Sequence, residues 1–172
     1  MLDRVRTNID LLGYAMLFFP EQHPGLARII EDKRVHGLRV RIALADPECA
    51  EVAARDALEG LGGTLPARIR SSLAHLGPLF ANTGVEIRFH RVPLYNAMYR
   101  FDDQMLITPY LYKLHAWHSR LAIVRSPSEW DALITITTWT RHGPHAIPFR
   151  DRLVRAHAAR RRHTSRRCAD PP

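Results

Sequence analysis

Residues Leu94–Tyr112 read LYNAMYRFDDQMLITPYLY. Residues that favour strands lie on both sides of an acidic pair, Asp102 and Asp103. Aspartate is common in tight turns because its carboxylate bonds to the nearby backbone. The stretch after Pro93 therefore predicts one or two strands, with the acidic pair at the bend between MYRF and QMLIT.

The chain before this hairpin alternates between strand-like and helix-like segments. Three strands are predicted: Ile9–Phe19 is a continuous apolar run, and Leu38–Leu44 and Val85–Phe89 alternate between apolar and other residues. Helical spacing recurs in three segments, which are 26–33, 52–58 and 66–80. Strand, helix, strand, long helical crossover, strand and hairpin together predict an α/β sandwich.

The hairpin resembles the catalytic hairpin of phospholipase-D-type enzymes. Their motif runs His, any residue, Lys, four residues, Asp; the His attacks phosphorus and the Lys neutralises charge on the phosphoryl oxygens. Only the acidic end of the motif remains in this chain. Counted back from Asp103, the His and Lys positions hold Asn96 and Met98; counted back from Asp102, they hold Tyr95 and Ala97. The resemblance implies a domain that binds rather than cuts, and no catalytic residue is assigned.

Three separated blocks extend this resemblance. They are IDLLGYAMLFFPEQHP (Ile9–Pro24), VRIALADPECAEVAARDALEGLGGTLPARI (Val40–Ile69) and VEIRFHRVPLYNAMYRFDDQML (Val85–Leu106). Over roughly residues 5 to 115 the pattern is similar to the phospholipase-D-like effector domain, of undefined biochemical function, that follows a Cro/Xre-type helix-turn-helix in transcriptional regulators of high-GC bacteria. The resemblance implies a phospholipase-D-like sandwich with a mixed central sheet, helices on its faces and a C-terminal hairpin.

The same resemblance implies a role and partners. The role is ligand sensing or dimerisation within a regulator. A homodimer is expected because active phospholipase-D sites are built from two half-motifs that face each other. Met1 lies only about eight residues before the first predicted strand, so no helix-turn-helix is expected within these residues. DNA is then expected as a partner only through a helix-turn-helix missing from this sequence or through the basic C-terminal tail.

A candidate ligand site follows from the predicted α/β architecture. In open α/β sheets, ligands bind beyond the carboxyl ends of the strands. This predicts a site for a small anionic ligand formed by Asp46, His90, Asn96, Arg100 and Asp103. Arg100 can bind an anion through two parallel hydrogen bonds, and the alternative is a salt bridge to a neighbouring acid. For the acidic pair of the hairpin, the alternative is a turn whose carboxylates accept backbone hydrogens.

The rival function is a phosphodiesterase or nuclease of phospholipase-D type, in which His90 replaces the nucleophile and Arg100 stabilises charge. It requires His90 to fold back toward the acidic pair, whereas a His at a strand end is more often exposed or hydrogen-bonded.

The Gly60–Gly63 cluster can cradle phosphate, but such a cluster after a helix is usually a loop. Ten histidines show no helical i, i+4 pair, and Cys49 and Cys168 match no metal spacing. Neither a metal nor a cofactor is predicted.

The net charge of +8 is unevenly distributed. Residues 151–172 hold seven arginines and two aspartates, which gives +5 in this tail. Five of these arginines are candidates for nucleic-acid contacts through counterion release: Arg160, Arg161, Arg162, Arg166 and Arg167. The alternative is a disordered, solvated tail.

Location is predicted from the apolar segments and the cysteines. The N-terminal apolar run Leu11–Pro20 is too short to cross a bilayer and is preceded by charges of both signs. The two cysteines lie far apart in the sequence. A reduced compartment is the simplest interpretation of this cysteine usage. A cytoplasmic protein with no membrane partner is predicted.

The C-terminal third departs from the family pattern. Leu121–Val124 and Leu133–Trp139 are predicted strands, but their order and flanks do not match it. The predicted segments are therefore a phospholipase-D-like domain at 1–118, an extension at 119–150 and a basic tail at 151–172. Two origins for the change stay open: a shift of reading frame near residues 113–121, which would make the chain a fragment, or a diverged extension.

Overall fold

The computed structural model describes residues 2–81, 85–111, 121–125 and 147–148. A single seven-stranded sheet forms its centre. The strands are β1 Asn8–Gly13, β2 Arg39–Ala45, β3 Val85–His90, β4 Asn96–Phe101, β5 Gln104–Pro109, β6 Ala122–Arg125 and β7 Ile147–Pro148. Their order across the sheet is β6-β5-β4-β1-β2-β3-β7.

The sheet is mixed. β1, β2 and β3 are parallel neighbours, whereas β4, β5 and β6 continue from β1 as antiparallel strands. Parallel neighbours need crossover connections, and the helices between these strands provide them. The α/β class and the mixed central sheet are confirmed.

Four α-helices connect the strands: α1 Phe18–Gln22, α2 Leu26–Arg34, α3 Ala50–Glu59 and α4 Thr64–Leu76. Short 3₁₀ segments lie at Leu2–Arg4 and Gly77–Ala81. The predicted helix at 26–33 is α2, and Gly37 has a φ of +94° in the turn that leads from it into β2. The third predicted helix ends earlier than expected, because its last turn tightens into the 3₁₀ segment.

The first predicted strand is too long. Ile9–Phe19 was expected to be one strand, but β1 ends at Gly13 and Phe18 already begins α1. The chain reverses so tightly that a Cβ on Gly13 would lie 2.3 Å from the Met16 sulfur, and Met16 itself has a φ of +56°. A continuous apolar run has no alternating pattern, so it reads the same in a buried strand and in a buried helix. Its periodicity therefore could not show where the strand ends.

The main core lies between one face of the sheet and the helices α1, α2 and α4. It contains side chains that are at most 1% exposed, namely Ile9, Ile30, Val40, Ile42, Leu44, Leu76 and Leu79. Burial of one such side chain stabilises the fold by about 1.5–3 kcal/mol. The alternation predicted for β2 and β3 places these residues correctly.

The opposite face of the sheet carries a row of buried charges. Asp10 on β1 lies between Arg41 on β2 and Arg100 on β4, and all three are at most 6% exposed. Arg41 Nε is 2.5 Å from one Asp10 oxygen, and Arg100 Nη1 is 3.3 Å from the other. Each arginine is therefore neutralised in part by a direct cross-strand neighbour.

The predicted strand at Leu121–Val124 is confirmed as β6, displaced by one residue. β6 pairs with β5 and β7 pairs with β3, so both belong to the same sheet as β1–β5. The predicted strand at Leu133–Trp139 and the tail at 151–172 lie outside the described residues, and the segment boundaries stay predictions.

Candidate functional site

The carboxyl ends of β1, β2 and β3 meet at one edge of the sheet, as the parallel arrangement requires. The Asp46 amide, just after β2, donates to the His90 carbonyl at 2.9 Å. The Asp46 carboxylate is fully buried and accepts hydrogen bonds from Arg91 Nε at 2.8 Å and from the Glu48 amide at 3.1 Å. Asp46 and His90 are thus neighbours, as predicted, and Asp46 fixes the loop that follows β3.

His90 is held in the interior rather than presented to solvent. It is 4% exposed, and its Nε2 lies 3.2 Å from the Gly13 carbonyl oxygen. A carbonyl can only accept, so Nε2 donates this bond. Burial lowers the pKa of His90, although the backbone of Gly13 and Val92 acts in the opposite direction. The imidazole is therefore uncharged at neutral pH, and its Nδ1 is buried without a hydrogen bond of normal geometry within the described residues.

Tyr14 packs beside His90, and Tyr110 packs against Tyr14. The Tyr14 ring is 6.0 Å from the His90 ring and 5.2 Å from the Tyr110 ring, both edge to face. The Tyr110 hydroxyl accepts the Tyr14 amide at 3.3 Å, and the Tyr14 hydroxyl accepts the Leu94 amide at 3.1 Å. Burial raises the pKa of both phenols, so both are protonated and each can still donate its own hydrogen.

Arg55 on α3 completes this group. Its guanidinium carbon lies 4.9 Å from the centre of the Tyr110 ring, a cation–π distance. Arg55 Nε donates to Glu59 at 2.5 Å, and the two side chains form an ion pair that is 8% exposed on each side. Cys49, half-buried just before α3, has a pKa raised by burial, so it is a thiol and not a reactive thiolate.

We refer to Tyr14, Asp46, Arg55, His90 and Tyr110 as the carboxyl-end cluster. Buried polar side chains, shifted pKa values and a strained turn coincide here. Met16, with its left-handed backbone, follows Tyr14 by two residues. Strained backbone and perturbed ionisation gather at functional sites more often than elsewhere, which makes this edge the candidate site.

The predicted site residues do not all reach this edge. Asn96, the first residue of β4, lies at the same end of the sheet and is half-buried. Arg100 is the last residue but one of β4 and is bound to Asp10, and Asp103 is exposed in the β4–β5 turn at the opposite end of the sheet. His90 and Arg100 stand three strand spacings apart, about 14 Å. They cannot hold the same phosphate group.

The acidic pair of the hairpin behaves as the turn alternative predicted. The Asp102 carboxylate accepts the backbone amides of Arg6, Thr7 and Asn8 at 2.8–2.9 Å, and the Thr7 hydroxyl at 2.8 Å. Burial raises the pKa of Asp102, but these hydrogen bonds outweigh it and the pKa is lowered. Asp102 thus anchors the amino end of β1 and takes no part in the carboxyl-end cluster. Arg100 likewise makes the predicted salt bridge to an acid.

The glycine cluster after α3 is a loop. The Asp56 carboxylate accepts the amides of Gly63 and Leu65 at 2.5 and 2.8 Å, at the start of α4. An acid of the chain itself therefore occupies the amides that a phosphate would need.

Three members of the carboxyl-end cluster were not among the predicted site residues, namely Tyr14, Arg55 and Tyr110. Tyr14 directly follows the glycine that ends β1, and this position was read as strand interior. A Gly-Tyr step in an apolar run is a weak signal of a turn, and nothing in the sequence shows that α3 brings Arg55 over Tyr110.

Within the described ranges, no group of three His, Cys, Asp or Glu side chains could hold a metal ion. None of the helices described has the length and apolarity needed to cross a bilayer.

No protein-family model and no curated protein matches this sequence. Among solved structures, the chain is similar to TrmBL2, an archaeal chromatin protein with a novel mode of DNA binding, at 13% identity and a TM-score of 0.40. The match covers 78% of this chain and 43% of TrmBL2, so this chain spans less than half of that protein's length.

Proposed function

We propose that this chain is a non-catalytic, phospholipase-D-like module that senses a small ligand and dimerises, related to bacterial transcriptional regulators and located in the cytoplasm. The observation that carries the proposal is the carboxyl-end cluster. It has the position and the composition of a ligand site, but its histidine is buried and bonded to the backbone.

The absence of catalysis is supported by the residues at the motif's nucleophile and cation positions, and by the bonds of the two side chains that would have to replace them. Asn96 and Met98 stand where the hairpin motif has its nucleophile and cation. His90 uses Nε2 for the Gly13 carbonyl, and Arg100 uses its guanidinium for Asp10 and the Asp102 carbonyl. None of these side chains points a reactive atom at a shared position.

Ligand binding is supported by the rim of the cluster. Arg91 is 41% exposed and is oriented by its Nε bond to the buried Asp46 carboxylate. Tyr95, 79% exposed, lies in the same loop, and its carbonyl accepts the Tyr110 amide at 2.7 Å. A guanidinium held through Nε can present its terminal nitrogens to a carboxylate or phosphate as a planar fork. The ligand is therefore a small anion with an apolar part that covers Tyr95.

Sensing follows from the connection between this rim and the strained turn. The loop 91–95 contacts Tyr14 and Tyr110, which pack under the turn that contains Met16. A ligand that binds one arrangement of this loop better than another shifts the population of the whole edge. That shift would alter the orientation of an attached DNA-binding domain.

The ligand site is tested by thermal melting of the full chain with inorganic phosphate and a panel of small aromatic carboxylates. At ten times the Kd, a ligand raises the Tm of the wild type by about 3 °C. Arg91→Ala should abolish the shift, whereas Arg28→Ala, on the exposed face of α2, should keep it. If no anion shifts the wild type, or if Arg91→Ala shifts equally, the ligand site is wrong.

The enzyme rival is tested separately with bis-p-nitrophenyl phosphate and single-stranded DNA. The proposal expects no turnover above the uncatalysed rate. Turnover by the wild type that is lost in His90→Ala would overturn the non-catalytic assignment.

Nucleic-acid binding through the arginine-rich tail is a second candidate, favoured by the +5 charge of residues 151–172. It predicts DNA binding that weakens steeply with salt and disappears when these residues are deleted. Binding that survives the deletion would contradict it.

A further inference from the structure

β6 carries an apolar surface at the end of the described sheet. Leu121 and Ile123 are 55% and 62% exposed, and Leu111, just beyond β5, is 41% exposed. Half of the six large hydrophobic side chains that are exposed in the described ranges therefore lie at this one corner. Exposed apolar side chains that cluster mark an interaction surface more often than single ones do.

The backbone of β6 suits strand addition. One edge of β6 pairs with β5, from Gln104 opposite Arg125 to Ile107 opposite Ala122. Each strand of an antiparallel sheet directs its remaining amide and carbonyl groups to the other side, and no described strand pairs with β6 there. β6, with the sequence AIVR, contains no proline, and its one charge, Arg125, lies at its end.

We propose that two copies of this chain join through β6, antiparallel and centred on Ile123, so that the two sheets become continuous. The inference specifies the surface for the dimerisation part of the proposed function and rests on it. It is independent of the ligand site, because β6 and the parallel strands β1–β3 are separated by β4 and β5.

A second copy is the partner that fits the charge pattern of the strand. Antiparallel pairing about Ile123 places Ile123 beside Ile123 of the partner subunit and Arg125 beside Leu121 of the partner subunit. No like charges meet, and the arrangement closes with two-fold symmetry. Parallel pairing in the same register would set Arg125 against Arg125. The antiparallel dimer is therefore the self-complementary solution.

The first test measures the mass of the full chain by size-exclusion chromatography with light scattering over a range of concentrations. The wild type should be dimeric, and Ile123→Lys should raise the dimer Kd about tenfold or more, because it places two cations at the centre of the pairing. Val35→Lys is the matched control: Val35 is 76% exposed but lies after α2, and its dimer should persist. Far-ultraviolet circular dichroism spectra of both variants should match that of the wild type, which shows that each variant is folded.

The second test examines the register through a charge exchange. Leu121→Arg alone sets two arginines against each other and should weaken the dimer about tenfold. Adding Arg125→Glu to the same chain places the introduced arginine beside the introduced glutamate of the other copy and should restore the dimer to within about threefold of the wild type.

The outcomes separate the inference from the function on which it rests. A monomeric wild type at high concentration overturns both the inference and the dimerisation part of the function, and leaves the ligand site to its own test. A dimer that tolerates Ile123→Lys, or is not restored by the charge exchange, overturns the β6 interface alone.

Discussion

At the residue scale, Asp102 accepts four hydrogen bonds from residues about 95 positions earlier in the chain. Its φ of +53° is one that aspartate tolerates better than most residues. One side chain thus closes the β4–β5 turn and at the same time fixes the amino end of β1. The sequence showed the turn, but not the distant segment that it holds.

Asp102→Ala should lower the free energy of unfolding by about 2–3 kcal/mol, since three amides and a hydroxyl lose a charged acceptor. Asp102→Asn keeps one acceptor oxygen and should cost less. The neighbouring Asp103→Ala is the control, because Asp103 is exposed, and its effect should stay within about 0.5 kcal/mol. Urea denaturation measures all three; equal losses for Asp102 and Asp103 would refute the anchoring role.

At the scale of elements, β2, β3 and the hairpin could be predicted because their alternating patterns follow the period of a strand. The end of β1 could not, since the contact between Gly13 and Met16 lies across a turn that no periodicity reports. Arg41 lies on the face opposite the apolar residues of β2, as the alternation predicts. The pattern does not show that it is buried there beside Asp10, its direct partner on the neighbouring strand.

Gly13→Ala should destabilise the protein by about 1 kcal/mol, because the added Cβ would overlap the Met16 sulfur, and this flexible side chain must shift to make room. Removing that sulfur in the Gly13→Ala/Met16→Ala double variant should recover part of the loss relative to Met16→Ala alone. Gly77→Ala has open space around it and a helical backbone, so it should be neutral or slightly stabilising. A double-mutant cycle on unfolding free energies with no coupling between residues 13 and 16 would show that the turn relaxes freely.

At the scale of the whole molecule, the edge of the sheet that carries the candidate site was predictable. The set of residues that meet at this edge was predictable only in part. Asp46, His90 and Asn96 reach the carboxyl ends of the parallel strands because each lies at the end or start of a recognisable segment. Arg100 and Asp103 do not, because β4 runs antiparallel beside β1 and carries the turn to the opposite end. Strand order and direction decide this, and a single sequence contains no direct signal for either.

The positions of two titrating groups at opposite ends of the sheet predict two separate acid transitions. Burial lowers the pKa of His90 from 6.5, so protonation favours the unfolded chain; its contribution is fully present above pH 6.5 and is lost as the pH falls through the lower folded value. The lowered pKa of Asp102 stabilises the fold above 3.8, and this contribution is lost only at more acidic pH. The Tm of the wild type should therefore fall first as the pH drops below about 6.5, and again below about pH 4. His90→Asn should flatten the first step and leave the second, and Asp102→Asn should do the reverse. His75→Asn, at an exposed position on α4, should change neither step. A first step that persists in His90→Asn would mean that the buried histidine at the candidate site does not control the stability of the fold near neutral pH.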